Sequence, residues 1–341
     1  MKGGVKMPKH IGLDLGTSNT RMFIKGKGIV LRSPTVVTVE KHKDVVVALG
    51  SEAKKMIGKT PSNMEAYRPI RNGVIADFEV AAMMIHEYFV KTEALSLFNR
   101  PVVLVSTPEN CTEVERLAVE NAIFAAGAKA VGVVGSSMAA AVGAGLNVNS
   151  PRGCMIVDIG GGMTQVAVIS SGGLVRSRAI KLAGDKLDAA IINNLRTKKD
   201  LFVGEMTAEM LKLRLGSAVP GAQRGPLDVS GLNEKLKCAQ TVRVSSDDIH
   251  GAIHSALEAI CRTITSVLES SPPEIAGDIS EFGIMLVGGG ANIHGIGELI
   301  RQKTGLRVTI AKNPMDCECI GIAKLIERPS TIPGGILYKN R

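Results

Sequence analysis

The 341-residue sequence contains no tryptophan, and only 3% of its residues are aromatic. A core without large aromatic side chains must be filled by Val, Ile, Leu, Ala and Met, which suits parallel strands covered by helices. Hydrophobic residues make up 45% of the chain and charged residues 21%, with 38 glycines. This composition excludes a disordered chain and indicates one large or two moderate folded units.

The sequence also lacks a long apolar run. No stretch approaches the ~20 consecutive apolar residues that a membrane-spanning helix needs. The basic start, MKGGVKMPKH, has no apolar segment of the kind that signal peptides contain. We therefore expect a cytoplasmic protein whose contact with a membrane is peripheral.

Patterns for disulfides and metal ligands are missing as well. The six cysteines are scattered along the chain, and Cys317 and Cys319 are too close together for the usual zinc spacing. His250 and His254 lie four residues apart on a predicted helix, where a solvent-facing pair is a better interpretation than a metal site.

The charge of the chain is basic, with 41 Lys and Arg against 32 Asp and Glu and a formal net charge of +9. Such a charge favours nucleic acid or an anionic membrane surface, and it also fits an ordinary solvated surface. No nucleic-acid-binding motif accompanies it, so we discount nucleic acid as a partner.

One unit occurs twice in the sequence. Residues 11–15 (IGLDL) and 154–159 (CMIVDI) are predicted to be short buried strands, each with an Asp near its end and a turn of Gly and Thr after it. The two aspartates, Asp14 and Asp158, stand 144 positions apart. A single strand–turn match can arise by chance, but two at domain-sized spacing favour a duplication.

The duplication predicts two domains with a cleft between them. Domain I is expected over residues 1–150, with an inserted subdomain at about 33–70. Domain II is expected over 151–341, with an inserted subdomain at about 181–246. A C-terminal helix at about 315–327 is a candidate to return to domain I.

Three turns of glycine and small residues follow predicted strands, at Gly16–Asn19, Gly160–Gly162 and Gly288–Gly290. Phosphates need closely packed backbone N–H donors without intruding side chains, and glycine supplies both the access and the unusual φ values. Asp14 and Asp158 precede the first two turns and could hold Mg²⁺ through water. The alternative is that each carboxylate only caps its own turn.

The chain has no GxxxxGK[ST] loop and no GxGxxG at the start of a helix, which excludes the Walker and Rossmann sites. Instead, IGLDLGTSNT resembles the first phosphate motif of the actin/Hsp70/sugar-kinase superfamily, VDIGGGMTQVAVIS the second, and VGGGANIHGI the adenosine motif. Within that superfamily, TPSNMEAYRPIRNGVIADFE, SMAAAVGAG, GEMTAEMLKLRLGSA and SPPEIAGDISEFGIMLVGGG are similar to the bacterial MreB family of rod shape-determining proteins. The resemblance covers roughly residues 10–325.

The resemblance implies an α/β, actin-like ATPase fold, in which two duplicated ribonuclease H-like domains enclose a nucleotide cleft. It implies ATP as the ligand, with Asp14 and Asp158 as catalytic candidates that hold Mg²⁺ through water. Ala183 stands where the family's Gly-Gly-Asp turn has a glycine. The residues implied to bind the nucleotide are Gly16, Thr17, Ser18, Asn19, Gly160, Gly161, Gly162, Met163, Thr164, Gly184, Asp185, Glu209, Met210, Leu211, Lys212, Gly288, Gly289, Gly290, Ala291 and Asn292.

The sequence departs from the family at the hydrolysis motif. The family usually has Glu-Glu-Pro before Met-Ala-Ala-Ala, and here Gly135, Ser136 and Ser137 stand in that place. The first glutamate is the expected orienter of the attacking water, and Gly135 has no side chain for this task. Gln165 could still hold a water by hydrogen bonding. We therefore predict that the protein binds ATP but hydrolyses it slowly.

A loop with apolar residues marks a candidate membrane contact. Leu95, Leu97 and Phe98 follow a predicted helix, in a place where some family members expose an apolar loop that enters the bilayer. Lys91 and Arg100 flank this loop and could meet anionic lipid. The alternative is that the three side chains pack inside the protein.

The resemblance implies an ATP-binding cytoskeletal protein that polymerises with itself into filaments at the inner face of the cell membrane. It implies a role in cell shape, exerted through the cell-wall elongation machinery. Two alternatives stay open. A sugar kinase needs a catalytic carboxylate aimed at a substrate hydroxyl, and no kinase-specific motif is found. An actin-like scaffold paralogue with weak or lost ATPase, serving another positioning role, fits the altered residues 135–137.

Overall fold

The computed structural model describes residues 8–41, 45–96 and 99–340. These ranges form two large sheets, three small sheets and ten α-helices. Within them, no helix is both long and apolar enough to cross a membrane.

The elements alternate between strands and helices along the chain. The strands are β1 His10–Leu15, β2 Asn19–Ile24, β3 Gly28–Pro34, β4 Val37–Glu40, β5 Val45–Leu49, β6 Met64–Tyr67, β7 Ile70–Arg71, β8 Val74–Ile75, β9 Val102–Thr107, β10 Ala130–Gly135, β11 Cys154–Ile159, β12 Thr164–Ser170, β13 Gly173–Ile180, β14 Leu201–Phe202, β15 Leu227–Asn233, β16 Cys238–Val244, β17 Ile284–Val287, β18 Val308–Ile310 and β19 Tyr338–Asn340. The α-helices are α1 Ser51–Met56, α2 Phe78–Lys91, α3 Glu113–Ala125, α4 Ser136–Ala144, α5 Gly184–Lys199, α6 Glu205–Leu215, α7 Ser246–Glu269, α8 Pro273–Phe282, α9 Ile296–Thr304 and α10 Cys317–Glu327.

The two large sheets share one plan. The first has the strand order β19-β10-β9-β1-β2-β3 and the second has the order β13-β12-β11-β17-β18. In each sheet, an antiparallel meander of three strands is extended by two parallel strands, β9 and β10 in the first and β17 and β18 in the second. The repeated strand–Asp–turn motif therefore corresponds to two copies of one sheet.

The strands that carry the two aspartates are central in their sheets. In β1 and in β11, the five residues that follow the first are buried. Runs of this kind are expected where helices cover both faces of a sheet. Because each central strand is buried along its length, its last residues and the turn that follows are held in a fixed position.

Two helices, α4 and α10, lie between the large sheets and share one core with both of them. This core includes Leu104 from β9 and Ile156 from β11. Helix α10 also packs on β1, where a Cβ built on Gly12 would lie 2.7 Å from Cγ2 of Ile322. Helix α10, at Cys317–Glu327, thus lies against the first sheet. The assignment of a C-terminal helix at about 315–327 to domain I stays a prediction.

The backbones of α4 and α10 come close together because glycine stands on both sides of the contact. A Cβ built on Gly143 would lie 1.7 Å from the carbonyl oxygen of Cys317. A Cβ built on Gly321 would lie 1.7 Å from the carbonyl oxygen of Ala139. Small residues let two helices approach until their backbones touch, and no larger side chain fits at either glycine.

The two segments predicted to be insertions carry small sheets of their own. Residues 33–70 contain α1 and the sheet β5-β4-β6, and residues 181–246 contain α5, α6 and the sheet β14-β15-β16. A short hairpin of β7 and β8 follows the first segment. The exact limits of the two domains stay a prediction.

Candidate functional site, a cleft between the two large sheets

Asp14 lies opposite Arg21 because β1 and β2 pair antiparallel around the turn that joins them. Arg21 Nη1 lies 3.3 Å from Oδ2 of Asp14, and Arg21 Nε donates to Oδ1 of Asp316 at 2.9 Å. Burial raises the pKa of Asp14 to about 6, because the loss of water outweighs the attraction of Arg21. A further cation near Asp14 would favour the charged form of the carboxylate.

Asp158 has the matching position in the second sheet, near the end of β11 and opposite Gln165 on β12. Burial, and after it the negative charges of Asp14 and Glu109, raise the pKa of Asp158 to about 7. Asp14 and Asp158 line the same cavity. Residue 21 is an arginine in the first copy, whereas the equivalent residue of the second copy is the neutral Gln165.

The first two phosphate-type turns contact each other across the cleft. A Cβ built on Gly161 would lie 2.0 Å from Oγ of Ser18, and one built on Gly162 would lie 2.6 Å from Oγ1 of Thr17. The backbone N–H of Gly73 donates to the same Thr17 oxygen at 2.9 Å. The glycines of the second turn are therefore needed for space, since any side chain there would push the two turns apart.

A cavity of about 270 Å³ opens beside these turns. It is bounded by both large sheets, by α6 and by the turn after β17. The predicted site residues that line it are Asp14, Gly16, Thr17, Ser18, Asn19, Asp158, Gly160, Gly161, Gly184, Glu209, Lys212, Gly288, Gly289, Gly290 and Asn292. Residues spread over 279 positions of the sequence thus meet at one cavity.

The remaining predicted site residues do not line this cavity. Leu211 and Ala291 lie in the hydrophobic core, and Met210 is exposed on α6. Glu209 and Lys212 are three residues apart and share one face of the helix, so the two residues between them point elsewhere. The others are Gly162, Met163, Thr164, Gln165 and Asp185.

Three of these residues still have a defined place near the cleft. Thr164 is buried, and its hydroxyl donates to the carbonyl of Leu182 at 2.7 Å. Asp185 lines a neighbouring cavity together with Ser18. Gln165 is next to α4, where its amide nitrogen donates to Oγ of Ser136 at 2.8 Å.

The two charged residues of α6 that line the cavity are paired with protein groups. Lys212 Nζ donates to Oδ2 of Asp188 at 2.7 Å and to the carbonyl of Gly184 at 3.0 Å. Glu209 lies 2.6 Å from Nζ of Lys54, a residue of α1. Glu209 therefore joins the first inserted segment to α6 as well as lining the cavity.

Sequence reasoning missed several polar residues of the site. Arg21, Asp188 and Glu318 are among them, and Arg21 and Glu318 line the cavity. The register of a β1–β2 hairpin could have predicted Arg21, because a turn at residues 16–18 brings it opposite Asp14. Glu318 had no such signal, since the packing of α10 on the first sheet is a contact distant in sequence.

The predicted membrane loop is only partly described. Leu97 and Phe98 lie outside the described residues. Leu95 is half-buried and packs against the core of the first sheet, where a Cβ built on Gly127 would lie 3.1 Å from Cδ2 of Leu95. This contact agrees with the alternative of inward packing for Leu95.

The histidine pair is also placed. The ring centroids of His250 and His254 are 5.0 Å apart, and Nδ1 of His250 lies 3.0 Å from the carbonyl oxygen of Ser217. His254 is exposed, but His250 is half-buried, so the expectation of a fully solvent-facing pair was wrong for His250. In the described ranges no group of three or more His, Cys, Asp or Glu side chains is arranged to hold a metal.

The residues of the cleft fit a nucleotide with Mg²⁺. Glycines at Gly161 and Gly288 keep the turns free of side chains, since Cβ atoms built there would lie 2.0 Å from Ser18 Oγ and 2.2 Å from Asp158 Oδ1. Carboxylate oxygens are the ligands that Mg²⁺ prefers, and this ion usually takes only one or two of them beside water and phosphate oxygens. Asp14 and Asp158 would hold the ion, which would neutralise phosphate charge.

A duplicated sheet with a glycine-lined cleft between the copies defines an actin-like fold. Solved structures agree. The chain superposes on MreB5 of Spiroplasma citri bound to ADP with a TM-score of 0.90 at 33% identity, covering 95% of this chain and 97% of that one. It also matches the MamK double helical filament with a TM-score of 0.78 over 94% of this chain and 99% of that one, where 20% identity shows the fold alone.

The sequence comparisons identify the family. The family model described as MreB/Mbl protein matches residues 8–333. The cell shape-determining protein Mbl of Bacillus cereus is 40% identical over 325 residues, which are 95% of this chain and 98% of that protein. The chain belongs to the MreB/Mbl family, and both the resemblance and the actin-like fold predicted from the sequence are confirmed.

Proposed function

We propose that the protein binds ATP with Mg²⁺ in the cleft and polymerises with itself into filaments in the nucleotide-bound state. The observation that carries this proposal is the cavity between the two copies of the sheet, lined by three glycine turns and two buried carboxylates. The similar structure of MreB5 of Spiroplasma citri is bound to ADP, which supports a nucleotide as the ligand.

Filament growth needs a head-to-tail contact that does not close into a ring. A contact of this kind on the inserted segments would respond to the cleft, because these segments carry residues at its rim. Lys54 of the first segment and Glu209 of the second are joined there at 2.6 Å. A nucleotide bound in the cleft would set the relative position of the two inserted segments. It would thereby set how well the two ends of a subunit fit each other.

The cellular role that we propose is control of cell shape from the inner face of the cell membrane, through the cell-wall elongation machinery. Membership of a family whose curated relatives are named cell shape-determining proteins supports this role. It also argues against the sugar-kinase alternative. The net charge of +9 would favour an anionic lipid surface.

Depletion in the host cell tests the role directly. Cells that lose the protein should become rounder, and a fluorescent fusion should form moving patches or filaments under the membrane. Cells of unchanged shape, with the fusion in another ordered structure, would instead favour the second candidate, an actin-like scaffold in another positioning role.

That second candidate rests on the hydrolysis motif. Gly135 and Ser136 replace the two glutamates that the resemblance leads one to expect, so we propose slow hydrolysis. Losing a group that positions water typically slows a reaction by about 10²-fold or more. Phosphate release measured beside an intact relative tests this, and equal rates would contradict it.

A further inference from the structure

A carboxylate from another part of the chain occupies the space beside Gly135. Glu109 follows β9, and a Cβ built on Gly135 would lie only 2.6 Å from Oε1 of Glu109. The backbone of Gly135, at φ −64° and ψ 134°, is open to any residue. The Glu109 carboxylate therefore fills the space that a side chain at position 135 would take, whereas the backbone would accept one.

Glu109 is held in this position by the first residues of α4. Its Oε1 accepts from the backbone N–H of Ser137 at 2.7 Å, and its Oε2 accepts from the Ser137 hydroxyl at 2.8 Å. These bonds also cap α4, whose preceding residue, Gly135, offers no side chain for that purpose. Any test must therefore separate capping from chemistry.

A chain of polar groups leads from Glu109 to Gln165. Ser136 Oγ lies 3.4 Å from Oε2 of Glu109, and it lies 2.8 Å from Nε2 and 3.1 Å from Oε1 of Gln165. Burial raises the pKa of Glu109, and when this carboxyl group is ionised it only accepts hydrogen bonds. The ionised carboxylate then competes with Oε1 of Gln165 for the Ser136 proton, while the Ser136 oxygen accepts from the amide nitrogen of Gln165. A Ser136 proton drawn to Glu109 holds the amide by its nitrogen and leaves Oε1 of Gln165 able to accept from another molecule.

Gln165 is well placed for a role at the phosphates. It lies directly opposite Asp158 in the β11–β12 ladder, and directly opposite residues share one face of a sheet. Glu109 is close enough to the same aspartate to raise the pKa of Asp158. The chain of Glu109, Ser136 and Gln165 thus ends beside one of the two cleft carboxylates.

We propose that Glu109 is a positioning residue for ATP hydrolysis, which acts through Ser136 to orient the Gln165 amide that holds the attacking water. This rests on the proposed binding of ATP in the cleft. In the reaction, the water oxygen bonds to the γ-phosphorus, and the bond from that phosphorus to the β–γ bridging oxygen breaks. The electron pair of the broken bond stays on ADP, and a water proton passes to the released phosphate.

The first test removes the charge but keeps the shape. Glu109→Gln retains an oxygen that can cap α4, whereas the amide cannot act as a purely accepting carboxylate. We expect phosphate release to fall about tenfold, the effect of one hydrogen bond to a charged group, while the Kd for ATP changes less than about twofold. Glu113→Gln, on the exposed start of α3, is the matched control and should leave the rate unchanged.

A second variant tests the chain without touching the cap. Ser136→Ala removes the hydroxyl between Glu109 and Gln165 and leaves both bonds to Ser137 in place. We expect the same loss of rate, and no additional loss in the double variant, because the two residues act as one unit.

A third comparison moves the carboxylate. Glu109→Ala frees the space beside residue 135, so Gly135→Glu in that background should bring the rate back to within a few-fold of the unmodified protein. Gly135→Glu alone should lower the melting temperature, because both carboxylates then compete for one space.

Three results would overturn the proposal. They are a Glu109→Gln rate equal to that of the control, a loss of rate that only parallels a loss of ATP binding or of folding, and a Glu109→Ala, Gly135→Glu double variant as slow as Glu109→Ala. An unmodified protein that binds ATP and pellets with it but releases no phosphate would also overturn it, while the proposed function would stand. Failure to bind ATP would instead contradict the proposed function itself.

Discussion

Arg21 is the buried cation that connects the base of the cleft to α10. It lies between Asp14 and Asp316, and Arg32, which is 56% exposed in its side chain, binds the same Asp316 from outside. Removing one partner of a buried charge pair leaves the other charge uncompensated, which costs more than the pair contributes when intact. Stability should therefore depend on Arg21 far more than on Arg32.

We predict that Arg21→Met lowers the free energy of unfolding by about 3 kcal/mol, and that Arg32→Met lowers it by less than about 1 kcal/mol. Chemical denaturation of both variants checks this, with Arg32→Met as the matched control. Equal effects of the two substitutions would contradict the account of Arg21 as a buried counter-ion.

Gly161 gives a second prediction at this scale. Its missing side chain makes room for Ser18, whose Oγ would lie 2.0 Å from an added Cβ. Gly161→Ala should separate the two turns and weaken ATP binding about tenfold, the usual effect of forcing a methyl group into a packed contact. Isothermal titration measures the Kd directly.

The control for Gly161→Ala is the same change in open space. Gly251 lies within α7, and a Cβ there would meet nothing within 4 Å. Gly251→Ala should raise stability by up to about 1 kcal/mol, because alanine is the better helix former, and should leave ATP binding unchanged. Weaker binding in both variants would point to a general effect of the substitution and not to the turn.

Asp158 makes the stability of the nucleotide-free protein depend on pH. Its folded-state pKa is raised from the ordinary 3.8 to about 7, so the folded protein binds the proton more tightly than the unfolded chain. The stabilisation is then fully present below about pH 3.8 and is lost as the pH rises through about 7. In EDTA, the melting temperature should fall between pH 5 and 7.5, and Asp158→Asn should flatten this fall.

Adding Mg²⁺ and ATP at pH 7.5 should reverse most of the loss, because a bound cation favours the charged carboxylate. If the melting temperature of Asp158→Asn in EDTA fell as steeply with pH as that of the unmodified protein, other groups would be the cause of the pH dependence.

The sequence allowed many individual residues of the site to be predicted, and the reason is physical. Phosphate-type turns such as Gly160–Gly162 are local features, in which glycine, strand and Asp stand side by side in the chain. Glu109 and Glu318 could not be predicted in this way, because their place near Asp158 depends on packing between elements distant in sequence. Leu211, which the resemblance implies to bind the nucleotide, is buried in the core because the helical period turns it away from Glu209 and Lys212.

At the scale of elements, two ion pairs link the first inserted segment to α6 above the cavity. Lys54 lies 2.6 Å from Glu209, and Arg68 lies 3.3 Å from Glu205. Partly exposed pairs of this kind contribute about 0.5 kcal/mol each. Together they form a clasp that would have to open when a nucleotide leaves the cleft.

We predict that the double variant Lys54→Ala, Arg68→Ala releases a fluorescent ATP analogue roughly fivefold faster, since about 1 kcal/mol of closing energy is lost. Stopped-flow displacement measures the release rate. Lys55→Ala is the control, because Lys55 pairs with the exposed Glu52 of its own helix and should have no effect. An unchanged rate in the double variant would mean that the clasp does not limit release.

The elements were partly predictable for a related reason. The strands at 11–15 and 154–159 were found because continuous apolar runs before a turn are a strong local signal, and the structure places them at His10–Leu15 and Cys154–Ile159. The contact of α4 with α10 was not predictable in detail. The contact depends on Gly143 and Gly321. These two glycines are far apart in the sequence, and their role is recognised only when α4 and α10 are known to pack together.

At the scale of the whole molecule, duplication explains why the cleft lies where it does. Each sheet brings an Asp and a glycine turn to the end of its central strand, and the shared core around α4 and α10 holds the two ends face to face. The two copies differ in the residue opposite the aspartate, which is the cation Arg21 opposite Asp14 and the neutral Gln165 opposite Asp158.

The most direct test of this account is sedimentation of the purified protein with Mg²⁺ and ATP, with ADP, or without nucleotide, beside the Gly161→Ala variant. We predict that the unmodified protein pellets with ATP and stays in the supernatant without nucleotide, and that Gly161→Ala needs about tenfold more ATP to pellet. Pelleting that is the same with and without ATP, or no pelleting under any condition, would contradict nucleotide-dependent assembly.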